Sequence, residues 1–303
     1  MIAPILIYLI NKKGEIKMVK RNRTHLLMVI PALVIFFAFH TLPVLQGIFY
    51  SFTDYRGYGS WDFAGIKNYL NVFRDGRALG SYVFTFKFAI VSTIIVNIIS
   101  ILIAMGLNAK IKFRKSLRAI YFLPYILSLL IIGYIFKFMF TNLLPQLGQA
   151  LGWEFLSTNI LGSSDLAWIG IVIVAVWQSV AFNTLLYLAG LSTVDEQIYE
   201  AASIDGARPW AKFWKITFPL IAPFFTINMV VAMKNFLMVF DQIVALTNGG
   251  PGHATESISL LIFSSGFGGG EFAYQSANAV IFFIVVVAIS VFQLRVLERR
   301  EGQ

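Results

Sequence analysis

The sequence predicts an all-α membrane protein, and two observations support that prediction. The 303-residue chain has a mean hydropathy of +0.75 and only 13% charged residues, about half the charged fraction of a typical soluble domain. Its apolar residues also fall in runs of roughly 20, the length that crosses a bilayer as a helix. Because a helix satisfies its own backbone hydrogen bonds inside lipid, these runs are predicted to be helical.

Six apolar runs predict six membrane-spanning helices, over residues 26–49, 82–107, 119–140, 167–188, 216–246 and 273–294. The fifth run is long and interrupted by polar residues, which indicates a helix broken near its outer end. The predicted organisation is an N-terminal segment over 1–25, a six-helix domain over 26–297 and a tail over 298–303. The apolar residues 1–10 are too short to span a membrane, and we expect an interfacial segment or an upstream extension there.

The distribution of basic residues predicts which loops face the cytoplasm. Lys and Arg concentrate in the segments 12–23, 110–118, 208–215 and 295–300, whereas the loops on the other side carry Arg56, Lys67, Arg74 and Arg77. By the positive-inside rule, both termini and the loop between the fourth and fifth runs are cytoplasmic. The net charge of +9 follows from the same asymmetry, so the lipid bilayer is the predicted partner and nucleic acid is not.

Several classes of chemistry are excluded by residues that the chain lacks. There is no cysteine, so disulfides and thiolate metal sites are ruled out. The histidines have no metal-binding spacing, and no G-x-x-x-x-G-K-[ST] motif is present for nucleotide binding. We therefore predict no catalytic residue, no metal site and no cofactor bound by this chain.

The loop over residues 193–215 carries signals for a helix, a turn and a second helix. Thr193 and Glu196 have the T-x-x-E spacing of a capping box, which predicts a helix start. Gly206 suits the left-handed position that ends a helix, and Pro209 suits the first turn of the next one. An ordinary solvated loop is the alternative.

The stretch EAASIDGARPWAKFWKITFPLIAP, residues 200–223, resembles the EAA loop of permease subunits of ABC importers. SFTDY at 51–55 and FDQIVALTNGGP at 240–251 resemble the carbohydrate-uptake branch of that family, which includes maltose, glycerol-3-phosphate and oligosaccharide permeases. The resemblance covers residues 26–297. It departs at 141–152, where the family more often has a glycine–asparagine turn, so the local shape of that loop stays open.

The resemblance implies a type I importer permease fold in a bacterial plasma membrane, and transport of a carbohydrate delivered by an extracytoplasmic solute-binding protein. The implied partners are that protein, a second homologous permease in a heterodimer, and a cytoplasmic ABC ATPase dimer that uses ATP and Mg²⁺. Carried over to this chain, the ATPase-coupling residues are Glu200, Ala201, Ala202, Asp205, Gly206 and Ala207. Here Asp205 is expected to fix the turn, and the small alanines allow close approach.

Polar side chains within the spans are candidates for a substrate path. Aromatic faces suit the C–H surface of a sugar, and amides or carboxylates suit its hydroxyls. The candidates are Trp177, Gln178, Asn183, Tyr187, Asn235 and Asp241. Helix–helix hydrogen bonds, or interface anchoring for Trp and Tyr, remain open as alternatives. Asp241 is predicted to fix the outer gate or to pair with Lys234, two helical turns earlier.

Two glycine-rich segments lie on the predicted outer side. LTNGGPGHATES, residues 246–257, is either an outer gate or docking loop centred on Gly249, Gly250 and Pro251, or a flexible turn. GFGGGEF, residues 266–272, has no preceding strand and is a poor phosphate loop.

The rival function is a stand-alone secondary transporter coupled to an ion gradient. Such a protein calls for coupling-ion residues deep within the spans. Lys87 and Asp241 are too few and too peripheral for that, so the sequence favours the importer subunit.

Overall fold

The computed structural model describes residues 8–10, 16–18, 23–109 and 112–301. Predictions for the N-terminal segment lie mostly outside these ranges, as does the extreme end of the tail. Two short strands, β1 (Tyr8–Ile10) and β2 (Ile16–Met18), pair antiparallel. They differ from the all-α expectation because the apolar stretch near the N-terminus is rich in residues that favour strands. All other elements named below are helical.

The first span consists of α1 (Arg23–Phe36) and α2 (Leu42–Tyr50), joined by a π-helical turn at Phe37–Thr41. Together they give the continuous apolar helix Met28–Tyr50, close to the predicted run, and none of its apolar window is buried. Most of this helix is therefore exposed, although its α2 part contacts α16.

Four helices form the centre of the bundle: α4 (Gly76–Asn108), α9 (Ala167–Leu191), α13 (Ala222–Leu237) and α16 (Phe272–Glu301). The predicted second, fourth and sixth spans are thus confirmed and extended. Fully buried Phe88, Ile171 and Leu237 fill the space between the first three of these helices. A Cβ at Gly190 would lie 2.7 Å from the Phe224 ring, so glycine lets α9 and α13 approach closely, as small residues do in membrane bundles.

The third predicted span, residues 119–140 as one helix, is wrong. Helix α5 (Arg114–Ile126) ends before two extended residues, and the chain continues as α6 (Leu129–Phe138). A π-helical turn then leads into α7 (Leu144–Leu151), so the membrane-length helix is Leu129–Leu151. Pro124 weakens the last turn of α5 because it has no N–H to donate. The loop left open by the sequence is therefore mostly helical, and Gly152 ends it at φ +69°.

The fifth span is broken at two places rather than one. Near its start, α11 (Pro209–Lys212), a π-helical turn and α12 (Phe218–Leu220) meet α13 at a bend of 73°. Pro223 cannot donate a backbone hydrogen bond across that bend. Beyond α13 the helix stops and resumes as α14 (Asp241–Leu246), which confirms the predicted break at the far end. Five helices in the described ranges are long enough to cross a membrane, or six when the bent pair is one span.

The bundle has two chemically different ends. The end that carries α10 (Glu196–Ile204) and residues 205–215 is called the basic end. The end that carries α3 (Lys67–Val72), α8 (Glu154–Ser157), the 3-10 turn Ile160–Gly162 and α15 (Ile258–Phe263) is called the opposite end. Helices α4 and α9 run between the two ends and connect them.

Candidate functional site

A polar cavity of about 650 Å³ lies beside two interruptions of helical structure, one between α5 and α6 and the other between α13 and α14. One wall is the extended link between α5 and α6, and another is the link between α13 and α14. Gln178 on α9 donates from Nε2 to the carbonyl oxygens of Pro124 and Leu127, at 3.5 and 3.4 Å. Ser257 Oγ donates at 2.9 Å to the carbonyl oxygen of Val239, which lies in the link between α13 and α14. Irregular backbone at membrane depth is tolerated where it is satisfied in this way or lines a cavity.

Three of the six predicted path residues line this polar cavity: Gln178, Asn235 and Asp241. The Oε1 atom of Gln178 is buried and has no hydrogen-bond partner, so it is an acceptor that a ligand could satisfy. The sequence did not single out Tyr125 or Ser128, which also line the cavity, because the break that brings them there was not predicted.

Trp177 does not line the polar cavity, so the structure does not bring it together with Gln178 there. Its ring packs 5.1 Å from that of Phe136 and lines a separate, largely apolar groove between α4, α5 and α9. Successive residues of a helix point about 100° apart, so neighbours in sequence need not share a face.

Asn183 and Tyr187 form helix–helix contacts, which is the alternative that the sequence left open. The Tyr187 hydroxyl is fully buried and donates to Asn97 Oδ1 at 2.6 Å. Asn183 donates to Ser179 O, and its own carbonyl accepts from Asn228 Nδ2. The Tyr187 side chain thus connects α9 to α4, the Asn228 side chain connects α13 to the α9 backbone, and neither Asn183 nor Tyr187 lines the polar cavity.

The variant Tyr187→Phe is expected to lower the thermal stability of the purified protein, by about 1 kcal/mol, the usual scale for such a bond in a membrane bundle. Asn97 Oδ1 loses its donor, whereas the polar cavity is unchanged, so substrate affinity should stay constant. Tyr134→Phe is the control, because no hydrogen bond of its hydroxyl is present among the described residues and Tyr134 does not line the polar cavity. A Tyr187→Phe protein with native stability but weakened substrate affinity would contradict the helix–helix role.

The expected pairing of Lys234 with Asp241 is also wrong. Ion pairs are seen from Glu256 to Arg77 and to His253, and none joins the described side chains of Lys234 and Asp241. Helix α13 ends at Leu237 and α14 starts at Asp241, so the two residues are not on one continuous helix face. Both side chains line the polar cavity.

At the basic end, α10 and the turn after it have a defined shape. The N-cap is Asp195, whose side chain accepts from the Gln197 N–H at 2.9 Å. Thr193 instead donates to Gly190 O, so the predicted capping box is wrong and the N-cap lies two residues later. Asp195 is itself a favoured N-cap residue, a signal that the sequence did contain.

The C-terminal end of α10 is closed as predicted. Gly206 has φ +72°. Its N–H donates to Ser203 O, and the Ala207 N–H donates to Ala202 O at 2.9 Å. This is the paired hydrogen bonding of a Schellman motif. Lys212 Nζ donates to Ser203 Oγ at 2.6 Å, which ties the following helix back to the turn.

The exposed surface of this turn differs from the expected one at a single position. Glu200, Ala201, Asp205 and Gly206 are exposed and Ala207 is half-buried, but Ala202 is only 6% exposed. Ala202 therefore faces the bundle and offers little surface for a contact. Ile204, which the sequence did not single out, is 87% exposed and is an apolar projection on this surface.

At the opposite end, residues 246–257 form an ordered turn rather than a flexible one. Thr255 donates to Gly250 O at 2.6 Å, and its N–H donates to Gly249 O. Glu256 is 3% exposed and accepts two hydrogen bonds from the Arg77 guanidinium, at 2.7 and 2.8 Å. Bidentate Arg–carboxylate pairs are both strong and directional, so the turn is fixed to the start of α4.

Asp75 extends this connection to α16. Its carboxylate accepts from the Tyr274 hydroxyl at 2.7 Å and from the Arg77 N–H at 2.8 Å. Partial burial acts to raise the pKa of Asp75, but these hydrogen bonds outweigh it and hold the pKa below its usual value. The carboxylate is therefore charged at neutral pH, and α4 and α16 are joined at this end.

Comparison with known proteins identifies the family. Residues 96–303 match the family described as binding-protein-dependent transport system inner membrane component. The chain belongs to this family.

Similar permeases align with nearly the whole chain. The multiple sugar-binding transport system permease protein MsmF of Streptococcus mutans is 39% identical over 88% of this chain and 92% of that protein. The probable starch degradation products transport system permease protein AmyD of Thermoanaerobacterium thermosulfurigenes is 35% identical over 94% and 97%. The trehalose/maltose transport system permease protein MalF of Thermococcus litoralis is 34% identical over 89% and 92%.

Solved structures confirm the predicted permease fold. A chain from a bacterial ABC transporter that imports the acidic polysaccharide alginate matches with a TM-score of 0.80 at 20% identity, over 92% of this permease and 96% of that chain. A second alginate transporter structure matches with a TM-score of 0.81 at 21% identity, over 93% and 96%. The permease is thus a multi-pass inner membrane protein and a transport subunit rather than an enzyme. Among its described residues, no group of three or more His, Asp or Glu could hold a metal ion.

Proposed function

We propose that the permease forms part of the membrane pathway of an ATP-driven carbohydrate importer. The names of its relatives refer to sugars, starch degradation products, and trehalose or maltose. The polar cavity is the observation that carries the proposal in this chain, because its amides, its carboxylate and the unpartnered Gln178 Oε1 match the donors and acceptors of sugar hydroxyls. Asp241 and Asn235 would bind hydroxyls directly.

The proposed assembly contains a second homologous permease, an ATPase dimer that uses ATP and Mg²⁺, and an extracytoplasmic binding protein. One of the alginate transporter structures includes a periplasmic protein with bound alginate pentasaccharide. That transporter is therefore a precedent for a partner that carries a saccharide. The unburied first span of this permease offers an apolar surface to a second subunit. Under this proposal both termini and the basic end face the cytoplasm, and the turn at Gly249, Gly250 and Pro251 forms part of the outer gate.

The ATPase would dock on the surface formed by Glu200, Ala201, Ala207 and Gly206, with Asp205 holding the turn. Exposed Ile204 would add an apolar contact, as side chains at the centre of an interface commonly do. Helix α10 follows α9 directly, and α9 carries Gln178 at the polar cavity. Closure of the ATPases would therefore move a helix that reaches the cavity, as in rigid-body alternating access.

The variant Asn235→Leu tests the cavity. Asn235 is exposed, and no hydrogen bond ties it to the bundle. Loss of one hydroxyl contact worth about 1.4 kcal/mol should weaken sugar-dependent transport about tenfold. The measurement is uptake of labelled oligosaccharide by proteoliposomes that contain the whole transporter and its binding protein. Asn71→Leu, at an exposed asparagine of α3, is the matched control, and an equal loss in both variants would refute the role of the cavity.

The class of substrate and the source of energy are tested separately. ATPase stimulation is measured with the binding protein present, across a panel of saccharides, amino acids and peptides. We expect stimulation by saccharides, and stimulation by amino acids or peptides alone would reject the carbohydrate assignment. Uptake that needs an ion gradient and no ATP would instead support a secondary transporter.

A further inference from the structure

A second cavity, of about 580 Å³, lies at the opposite end where the first span meets the start of α16. It shares no lining residue with the polar cavity. Its walls come from the end of α2, the exit loop at residues 55–58, and the glycine-rich segment 266–272. Its volume is within the range of small-molecule sites. This cavity is called the outer aromatic cavity.

The base of the outer aromatic cavity is rigid. Tyr50 and Tyr55 stack with ring centroids 4.5 Å apart, and the Phe272 ring stands edge-on to both at 5.8 and 5.6 Å. The Ala273 N–H donates to Tyr55 O at 2.9 Å, which fixes the exit loop to α16. A ligand would therefore meet aromatic rings that are already held in place, which reduces the ordering cost of binding.

The walls combine exposed rings with hydrogen-bonding groups. Tyr58 and Phe267 are 72% and 73% exposed, so most of each ring remains free to contact a ligand. Gln46 supplies an amide, and Arg56 is the charged residue of the lining. Aromatic side chains that served only as interface anchors would not need to surround a cavity together with an amide and a guanidinium.

The glycine segment contributes backbone rather than side chains. A Cβ at Gly269 would lie 2.7 Å from Ser265 O, and Gly270 has φ +69°, so larger residues are disfavoured at both positions. At Gly268, by contrast, no atom lies within 4 Å of an added Cβ, and its φ is not positive. Two of these glycines are thus required by the local conformation, while Gly268 leaves open space beside the cavity.

We propose that the outer aromatic cavity binds one unit of a saccharide before that saccharide reaches the polar cavity. Ring faces would contact the C–H surface of the sugar. Arg56, Gln46 and the glycine backbone would bind its hydroxyls, or a carboxylate where the sugar carries one. The choice of a saccharide as the ligand rests on the proposed carbohydrate function. The presence of a cavity at this place does not depend on that function.

The test is direct binding to the complete transporter in lipid nanodiscs, without the binding protein. Saturation-transfer NMR is recorded with maltotriose and with trigalacturonate as neutral and acidic probes. We expect a signal from at least one probe in the native protein and in Asn235→Leu. Gly268→Leu, which fills the open space, should weaken binding about tenfold, corresponding to a loss of about 1.4 kcal/mol. Gly80→Leu is the matched control, because a Cβ added at Gly80 also meets no described residue outside its own helix within 4 Å, and Gly80 does not line the cavity.

A second variant, Arg56→Gln with Tyr58→Ser, covers the case in which Gly268→Leu does not fold. Both residues lie in the exit loop, outside any helix, and the pair should reduce the signal to the same extent. Unchanged binding in the folded variants would overturn the proposal. Displacement of the signal by phosphatidylglycerol in the nanodisc would also overturn it, because the cavity would then hold a lipid headgroup. If uptake assays show no saccharide transport at all, the proposed function fails separately.

Discussion

Gly206→Val is expected to abolish ATP-driven uptake and to separate the ATPase from the purified permease. An L-residue at φ +72° costs on the order of 1–2 kcal/mol, and valine is among the least tolerant residues at such an angle. Relief of that strain would open the two hydrogen bonds that close α10. Apart from its sequence neighbours, no described residue lies within 4 Å of the added Cβ, so the side chain would also project from the proposed docking surface.

Gly152→Val separates strain from docking. Gly152 has φ +69°, also has no atom within 4 Å of an added Cβ, and ends a helix at the opposite end of the bundle. Its variant should lose similar stability yet keep the ATPase bound. Uptake and co-purification are measured for both variants, and a Gly206→Val protein that transports at the native rate would remove the docking role.

Arg77→Met is expected to destabilise the opposite end by about 2–3 kcal/mol, which is below the range for a fully buried pair. Glu256 would remain nearly buried with only the exposed His253 imidazole beside it, whereas the Arg77 side chain is 40% exposed. The loss should appear as a thermal midpoint several degrees lower and as slower uptake, since the turn at 246–257 loses its attachment to α4.

Two further variants complete this test. Arg74→Met removes an exposed arginine at the same end and should change the midpoint very little, as surface charges usually do. Arg77→Met with Glu256→Met should recover much of the stability, because no unpaired charge is then buried. If Arg77→Met and Arg74→Met have the same midpoint, the Arg77–Glu256 pair does not hold the turn.

The parts of the fold that depend on local signals could be predicted from the sequence. Four of the six apolar runs became continuous helices near their predicted positions because a spanning helix is determined by its own length and hydropathy. The turn at Gly206 was predictable for the same reason, since a Schellman motif is built from adjacent residues. The break after Ile126 was not, because the Gln178 side chain that stabilises it comes from a distant helix.

The candidate path residues show the same division. Polar type alone selected Gln178, Asn235 and Asp241, which line the polar cavity, but it also selected Trp177 and Tyr187, which face other surfaces. The surface that a side chain of α9 faces depends on how the helix is rotated within the bundle. Apolar residues are spread so evenly around α9 that the sequence does not reveal this rotation. The sequence reveals Arg77 only as a positive charge on one side of the membrane, because its partner Glu256 follows 179 residues later.

The first span has a consequence for how this chain tolerates mutation. Its apolar window, within Met28–Tyr50, has no buried residue, and lipid tails are as apolar as leucine. Positions that contact only lipid should therefore accept almost any apolar side chain without loss of function. In a saturation scan of this helix in the assembled transporter, the positions that reject apolar exchanges would mark the stripe covered by another subunit, and so locate that subunit without a structure of the complex.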